Sequence, residues 1–85
     1  MKYRLTNKEY SNLESLYFYS FLIKHRRNTE NDCISFNKTR RTLIRRLDKG
    51  NTPWWLINIV IQSAEDGINF VDILDKYNIK LKGIC

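Results

Sequence analysis

Residues 6–24 read TNKEYSNLESLYFYSFLIK, and this stretch decides the fold class. It opens with Thr6-x-x-Glu9, a capping box in which each side chain satisfies a free backbone amide at the start of a helix. At helical spacing there follow Tyr10, Leu13, Tyr17, Phe21 and Lys24. Residues 16–23 are apolar nearly all round, which suits a central helix or a buried strand. The cap and the long helical period before them favour the helix.

Three further helices are predicted by periodicity, caps and glycine stop signals. Their expected bounds are Ser35 or Asn37 to Lys49, about 53–66, and about 69–78. A polar loop at 28–32 is expected to separate the first two helices. Gly50 is expected to supply the left-handed residue that ends the second helix, and Thr52 the hydroxyl that caps the third before Pro53.

The two chain ends alternate polar and apolar residues, which is the period of a half-buried strand. Residues 2–5 and 79–82 either pair as a short antiparallel ribbon or remain as tails. A chain of 85 residues suits one domain, spanning 1–85, and its 42% hydrophobic content is enough for a packed core. We therefore predict a mainly α fold, a compact bundle of about four helices.

Composition argues against several classes of protein. Cys33 and Cys85 are too few for a secreted disulfide framework, so we expect free thiols in the cytoplasm. The single histidine, His25, lies among cations without a partner base, and no metal-ligand spacing or phosphate-binding glycine loop occurs. No run of eighteen apolar residues could cross a membrane. We expect a non-enzymatic protein with no metal, cofactor or membrane segment.

Charge is distributed unevenly along the chain. Residues 24–49 carry a net charge of +6, which equals the total for the whole chain, whereas residues 50–75 carry −4. A protein divided in this way is expected to have a basic side and an acidic side.

The basic segment forms a stripe on the predicted second helix. Four cations recur at i, i+3, i+7 and i+11, opposite an apolar stripe that contains Leu43 and Leu47: Lys38, Arg41, Arg45 and Lys49. Cations a turn apart can follow a line of phosphates, and Arg26 and Arg27 are expected to extend the surface. The leading hypothesis is therefore contact with a DNA or RNA backbone, with a solvated helix face as the structural alternative.

Residues 35–50 resemble in composition the recognition helix of winged helix-turn-helix domains, with a Ser/Thr-rich start, interspersed Arg and a closing Gly. The resemblance covers sixteen residues and implies DNA binding. The family also has a helix and a tight turn just before this helix, whereas residues 28–34 are expected to form a loop.

The tryptophans support an alternative function. Trp54 and Trp55 open the third helix near its polar sector, where one of them could anchor a protein partner, although both could instead pack against the core. The alternative is an inhibitor of phage or mobile-element type that docks on an acidic host protein through the basic helix, with Arg40 and Arg46 contributing. Ten Ile and nine Asn against one Ala fit an AT-rich genome of that kind. A third possibility is self-association of the basic face with the acidic 65–75 segment of another copy.

Overall fold

Four helices and two short strands make up residues 3–81, the part of the chain that the computed structural model describes. In chain order they are β1 (Tyr3–Leu5), α1 (Asn7–His25), α2 (Glu30–Lys49), α3 (Trp54–Asp66), α4 (Phe70–Lys76) and β2 (Ile79–Leu81). The predicted mainly helical fold is confirmed. Lys2, Lys82 and Cys85, which entered the expectations above, lie outside the described residues.

Helix α1 begins as its sequence predicts. The Thr6 hydroxyl accepts a hydrogen bond from the Glu9 amide at 3.1 Å, and the Glu9 carboxylate accepts one from the Thr6 amide at 3.2 Å. The helix then continues without a break through residues 16–23 to His25. The cap and the helical period therefore correctly identified this apolar run as helix.

Helix α2 begins at Glu30, five or seven residues before the predicted start at Ser35 or Asn37, so the loop expected at 28–34 is wrong for residues 30–34, which are helical. Thr29 and Asp32 form a second capping box, with the Asp32 amide donating to the Thr29 hydroxyl at 3.1 Å. The connection shrinks to residues 26–29, and the Asn28 amide group bonds to the carbonyls of Leu22 and Arg26 at 2.8 and 2.9 Å. These bonds satisfy carbonyls at the end of α1 and turn the chain into an α1–α2 hairpin.

The connection between α2 and α3 also departs from the prediction. Asn51, with φ of 66°, takes the left-handed conformation expected of Gly50, whose φ is −82°. Asparagine tolerates this region better than most residues. Thr52 does not cap α3, because its buried hydroxyl donates instead to Glu9 at 2.8 Å. Pro53 occupies the N-cap position without a side-chain hydrogen bond.

The two chain ends pair, but the predicted antiparallel direction is wrong. β1 and β2 run parallel, with Tyr3 opposite Ile79 and Leu5 opposite Leu81. Alternation of polar and apolar residues predicts a half-buried strand but not the direction of its partner, because parallel and antiparallel strands share the same side-chain period of two.

The core lies between α1 and the elements packed around it. Its buried side chains come from every helix and both strands: Leu5, Leu13, Leu16, Leu43, Leu47, Leu56, Ile57, Val60, Phe70, Ile73 and Ile79. Tyr17 contacts Phe70 of α4, whereas Tyr19 contacts Phe36 of α2. Because residues two apart point to nearly opposite sides of a helix, α2 and α4 lie on different sides of α1.

Glu9 joins three separate segments at one end of the molecule. Its carboxylate accepts hydrogen bonds from the Tyr3 hydroxyl at 3.0 Å, from the Thr52 hydroxyl and from the Thr6 amide. Partial burial alone would raise the pKa of Glu9, but the bonds from Thr52, Thr6 and Tyr3 outweigh it and lower the pKa. Burial and the neighbouring carboxylate raise the pKa of Tyr3 to about 12, so this phenol remains a donor.

Glu9→Gln tests this junction through its pH dependence. Because folding lowers the pKa of Glu9, its carboxylate stabilises the fold above the unfolded pKa of about 4.3, and that contribution is lost as the pH falls through the folded value. We expect the substitution to lower the free energy of unfolding by about 1–2 kcal/mol at neutral pH. Urea unfolding at about pH 7 and about pH 3 measures the difference. An equal loss at both pH values would contradict the role of the carboxylate charge.

Candidate nucleic-acid interface

The four predicted cations lie together along the exposed side of α2. We call Lys38, Arg41, Arg45 and Lys49 the cationic face. Each is solvent-exposed, while Leu43 and Leu47 on the opposite side are buried. The stripe spans eleven residue steps, or about 16 Å along the helix axis. Asp48 is the single acid between residues 33 and 64, so it is the one carboxylate of α2 that lies within the length of the cationic face.

Two neighbours modify this face at its edges. Ile34 lies one turn before Lys38 and is 61% exposed, so an apolar side chain opens the stripe. Arg40 is half-buried on the other side of α2, where its Nη2 donates to Asn37 Oδ1 at 3.2 Å. Arg40 therefore uses an amide of its own helix as its partner and does not point along the cationic face.

The other predicted cations lie at a distance from the stripe or to one side of it. Arg26 and Arg27 are exposed at the loop end of the α1–α2 hairpin. The first two turns of α2, which carry Glu30 and Asp32, separate them from Lys38 by about 12 Å along the axis. The structure therefore does not place these two arginines within the cationic face.

Arg46 borders an open cleft at the opposite end of the hairpin. The cleft has a volume of about 690 Å³ and lies between the start of α1, the end of α2 and the connection to α3. Lys8, Arg46 and Lys49 line it together with the Glu9 carboxylate. Lys49 therefore belongs to the cationic face and also lines the cleft. Together with Arg46 it extends the cations of α2 around the helix at this end.

Trp54 lies beside the cationic face, where a hydrogen bond to Asp48 holds its ring. The indole Nε1 donates to Asp48 Oδ1 at 2.9 Å, and the side chain is 52% exposed. Asp48 follows Arg41 and Arg45 at i+7 and i+3, so these three residues share one side of α2. The bond thus places an exposed aromatic ring at the end of the cation stripe.

Trp55 takes a different position from its neighbour. Its ring is half-buried and packs edge-on against Tyr3, with ring centroids 6.1 Å apart and an interplanar angle of 86°. This geometry is the favourable T-shaped arrangement of aromatic rings. Trp55 therefore ties α3 to β1, whereas Trp54 is the tryptophan with a large free surface.

Sequence reasoning found the exposed cations but missed the contact between Trp54 and Asp48. The contact depends on how the α2–α3 connection folds, because the two residues are six positions apart in the sequence. One feature of the sequence did indicate this contact. Asp48 is a lone acid in a long basic segment, and the indole donor of Trp54 lies close to it in the sequence. An indole N–H is a donor without an acceptor function, so a nearby carboxylate is a natural partner.

The acidic residues of the 65–75 segment belong to α3 and α4. Glu65 and Asp66 end α3, and Asp72 and Asp75 belong to α4, which lies across α1 from α2. Ile68 and Val71 lie between these two pairs of acids in the sequence and are 43% and 55% exposed. Self-association between the basic and acidic sides stays a prediction, and separate faces of this kind are what head-to-tail contact requires.

The single histidine has a structural contact. His25 Nε2 lies 3.0 Å from the Ala64 carbonyl, and its ring packs against Phe21 with centroids 4.6 Å apart. Because a carbonyl oxygen can accept but not donate, Nε2 carries the proton in this contact. Within residues 3–81, no group of three His, Cys, Asp or Glu side chains is placed to hold a metal ion. Cys33 is a half-buried free thiol.

None of the helices in the described part of the chain is both long and apolar enough to cross a membrane. No protein family, curated protein or solved structure matches this chain.

Asp48→Ala tests whether the carboxylate holds the Trp54 ring in place. In a Trp55→Phe background, Trp54 is the sole tryptophan, so its emission reports one ring. We expect Asp48→Ala to increase acrylamide quenching of that emission, because the indole loses its hydrogen bond and becomes more mobile. Asp48→Asn keeps an oxygen acceptor and is the matched control, with quenching near that of the parent. Equal quenching in all three proteins would show that the bond does not restrain the ring.

Proposed function

We propose that this protein is a non-enzymatic nucleic-acid-binding protein of the cytoplasm that contacts a DNA or RNA backbone through the cationic face. The observation that carries the proposal is the set of four exposed cations on one side of α2, opposite the buried Leu43 and Leu47. Because the core uses the other side of the helix, the stripe is available to a ligand without any change of fold.

The physical basis is electrostatic. Lysine and arginine side chains that neutralise phosphates release condensed counterions, and this release favours binding at low salt. A stripe of about 16 Å spans several successive phosphates of one strand. Contacts to phosphates position a protein on its ligand but carry no sequence information, so we expect weak dependence on base sequence.

Arg41→Glu/Arg45→Glu tests the proposal. The double reversal lowers the formal net charge from +6 to +2 and places negative charge in the middle of the cationic face. We expect it to weaken binding to DNA or RNA by at least about a hundredfold, because each of the two lost charge-assisted contacts contributes about 1.5–3 kcal/mol. Fluorescence anisotropy with labelled oligonucleotides at low salt gives the dissociation constants, and circular dichroism checks that the variant folds.

The matched control is Arg4→Glu/Lys80→Glu. These residues lie opposite each other in the sheet and are exposed, and the change in net charge is the same. If charge alone governs binding, both double variants lose affinity equally, and the cationic face is not the site. A loss confined to the α2 variant supports the proposal. Absence of binding by the wild-type protein would refute it.

Docking on an acidic protein, in the manner of a phage or mobile-element inhibitor, is a second candidate. The exposed ring of Trp54 favours it, because tryptophans that a partner buries on binding are frequent anchors of protein interfaces. Trp55 is less suited to this role, since its ring already packs against Tyr3. Under this alternative the wild-type protein would not bind oligonucleotides at low salt.

A further inference from the structure

Trp54 gives the cationic face an aromatic surface at one end. Its Nε1 atom is bonded to Asp48, which shares a side of α2 with Arg41 and Arg45. About half of the side chain, 52%, remains open to solvent. The N–H group of the ring is therefore already satisfied, and the free part of its surface is the apolar ring itself.

We infer that Trp54 is a stacking platform for an unpaired base, which makes single-stranded nucleic acid the preferred ligand of the cationic face. The inference rests on the proposed function, because it requires a strand whose phosphates follow the cations of α2. Proteins that bind single strands without sequence preference combine these two elements, a basic track for the backbone and aromatic rings for the bases.

The contact with Asp48 argues for a base rather than a phosphate at this end of the face. A carboxylate repels a nearby phosphate, whereas it does not oppose a neutral base that lies on the indole ring. The hydrogen bond also fixes one edge of the ring, so less conformational freedom is lost when a base stacks on it. In a duplex each base is already stacked on its neighbours, so insertion of the ring would cost unstacking energy that an unpaired base does not require.

The experiment compares three ligands of equal length. They are a twelve-nucleotide thymidine strand, an abasic strand with the same phosphates, and a twelve-base-pair duplex. Fluorescence anisotropy with labelled ligands measures the affinity of the wild-type protein, Trp54→Ala, Trp54→Phe and Arg41→Glu/Arg45→Glu. The abasic strand separates stacking from backbone contact, because it offers every phosphate and no base.

We expect the wild-type protein to prefer the thymidine strand over the abasic strand by about tenfold, within the range of about five- to 150-fold per stacked base. Trp54→Ala abolishes that preference and leaves binding to the abasic strand and the duplex within about twofold. Trp54→Phe retains most of the preference, because it keeps an aromatic ring. Trp54 is exposed, so these substitutions leave the core intact.

Asp48→Asn supplies an independent readout. It keeps an acceptor for the indole N–H and removes a negative charge near the phosphates, so we expect all three ligands to bind about two- to threefold more tightly. The stacking preference of the wild-type protein is retained in this variant. A loss of that preference in Asp48→Asn would contradict the placement of the ring.

Failure of the inference is distinguishable from failure of the proposed function. If Arg41→Glu/Arg45→Glu abolishes binding while Trp54→Ala affects all three ligands equally or not at all, the backbone contact stands and the stacking platform is refuted. If the wild-type protein binds none of the three ligands at low salt, both are refuted.

Discussion

The Glu9 carboxylate holds the α2–α3 connection in place, and through it the position of Trp54 beside the cationic face. It receives hydrogen bonds from Tyr3 in β1, from Thr6 at the start of α1 and from Thr52 before α3. These bonds hold the α2–α3 connection against the start of α1. Trp54 and Trp55, which follow this connection, are thereby placed at the end of α2. The Trp55 ring packs inward on Tyr3, and the Trp54 ring lies outward with its N–H bonded to Asp48.

Helix α1 accounts for the separation of charge. It packs against α2 and α3, and its Tyr17 and Tyr19 contact α4 and α2 on different sides. The cations of α2 and the acids of α4 therefore lie on different sides of the central helix. Under the proposed function, a polyanion on α2 would meet an electropositive surface with few competing carboxylates.

Features fixed by local periodicity were predictable from the sequence. The capping box of α1, the helical character of residues 16–23 and the exposed stripe of α2 all depend on residues within a few positions of one another. The start of α2 was missed because five polar residues resemble a loop, although Thr29 and Asp32 form a capping box of their own. Asn51 rather than Gly50 adopts the left-handed conformation. Both residue types tolerate this conformation, so the local sequence does not determine which of the two adopts it.

The remaining differences depend on tertiary geometry. The strands run parallel, and no pattern within either strand encodes that direction. Likewise, the Thr52 hydroxyl is close enough in sequence to cap α3. It donates instead to the carboxylate of Glu9, forty-three residues earlier. The bond between Trp54 and Asp48 is of the same kind, since it requires the α2–α3 connection to fold back on α2.

We propose that the four cations of the cationic face neutralise phosphates. The most direct measurement is the salt dependence of binding to a thymidine strand, from about 50 to 200 mM monovalent salt. For about four phosphate contacts, the logarithm of the binding constant should fall linearly with the logarithm of the salt concentration, with a slope near −3. A slope near zero, or no binding at the lowest salt concentration, would contradict the claim.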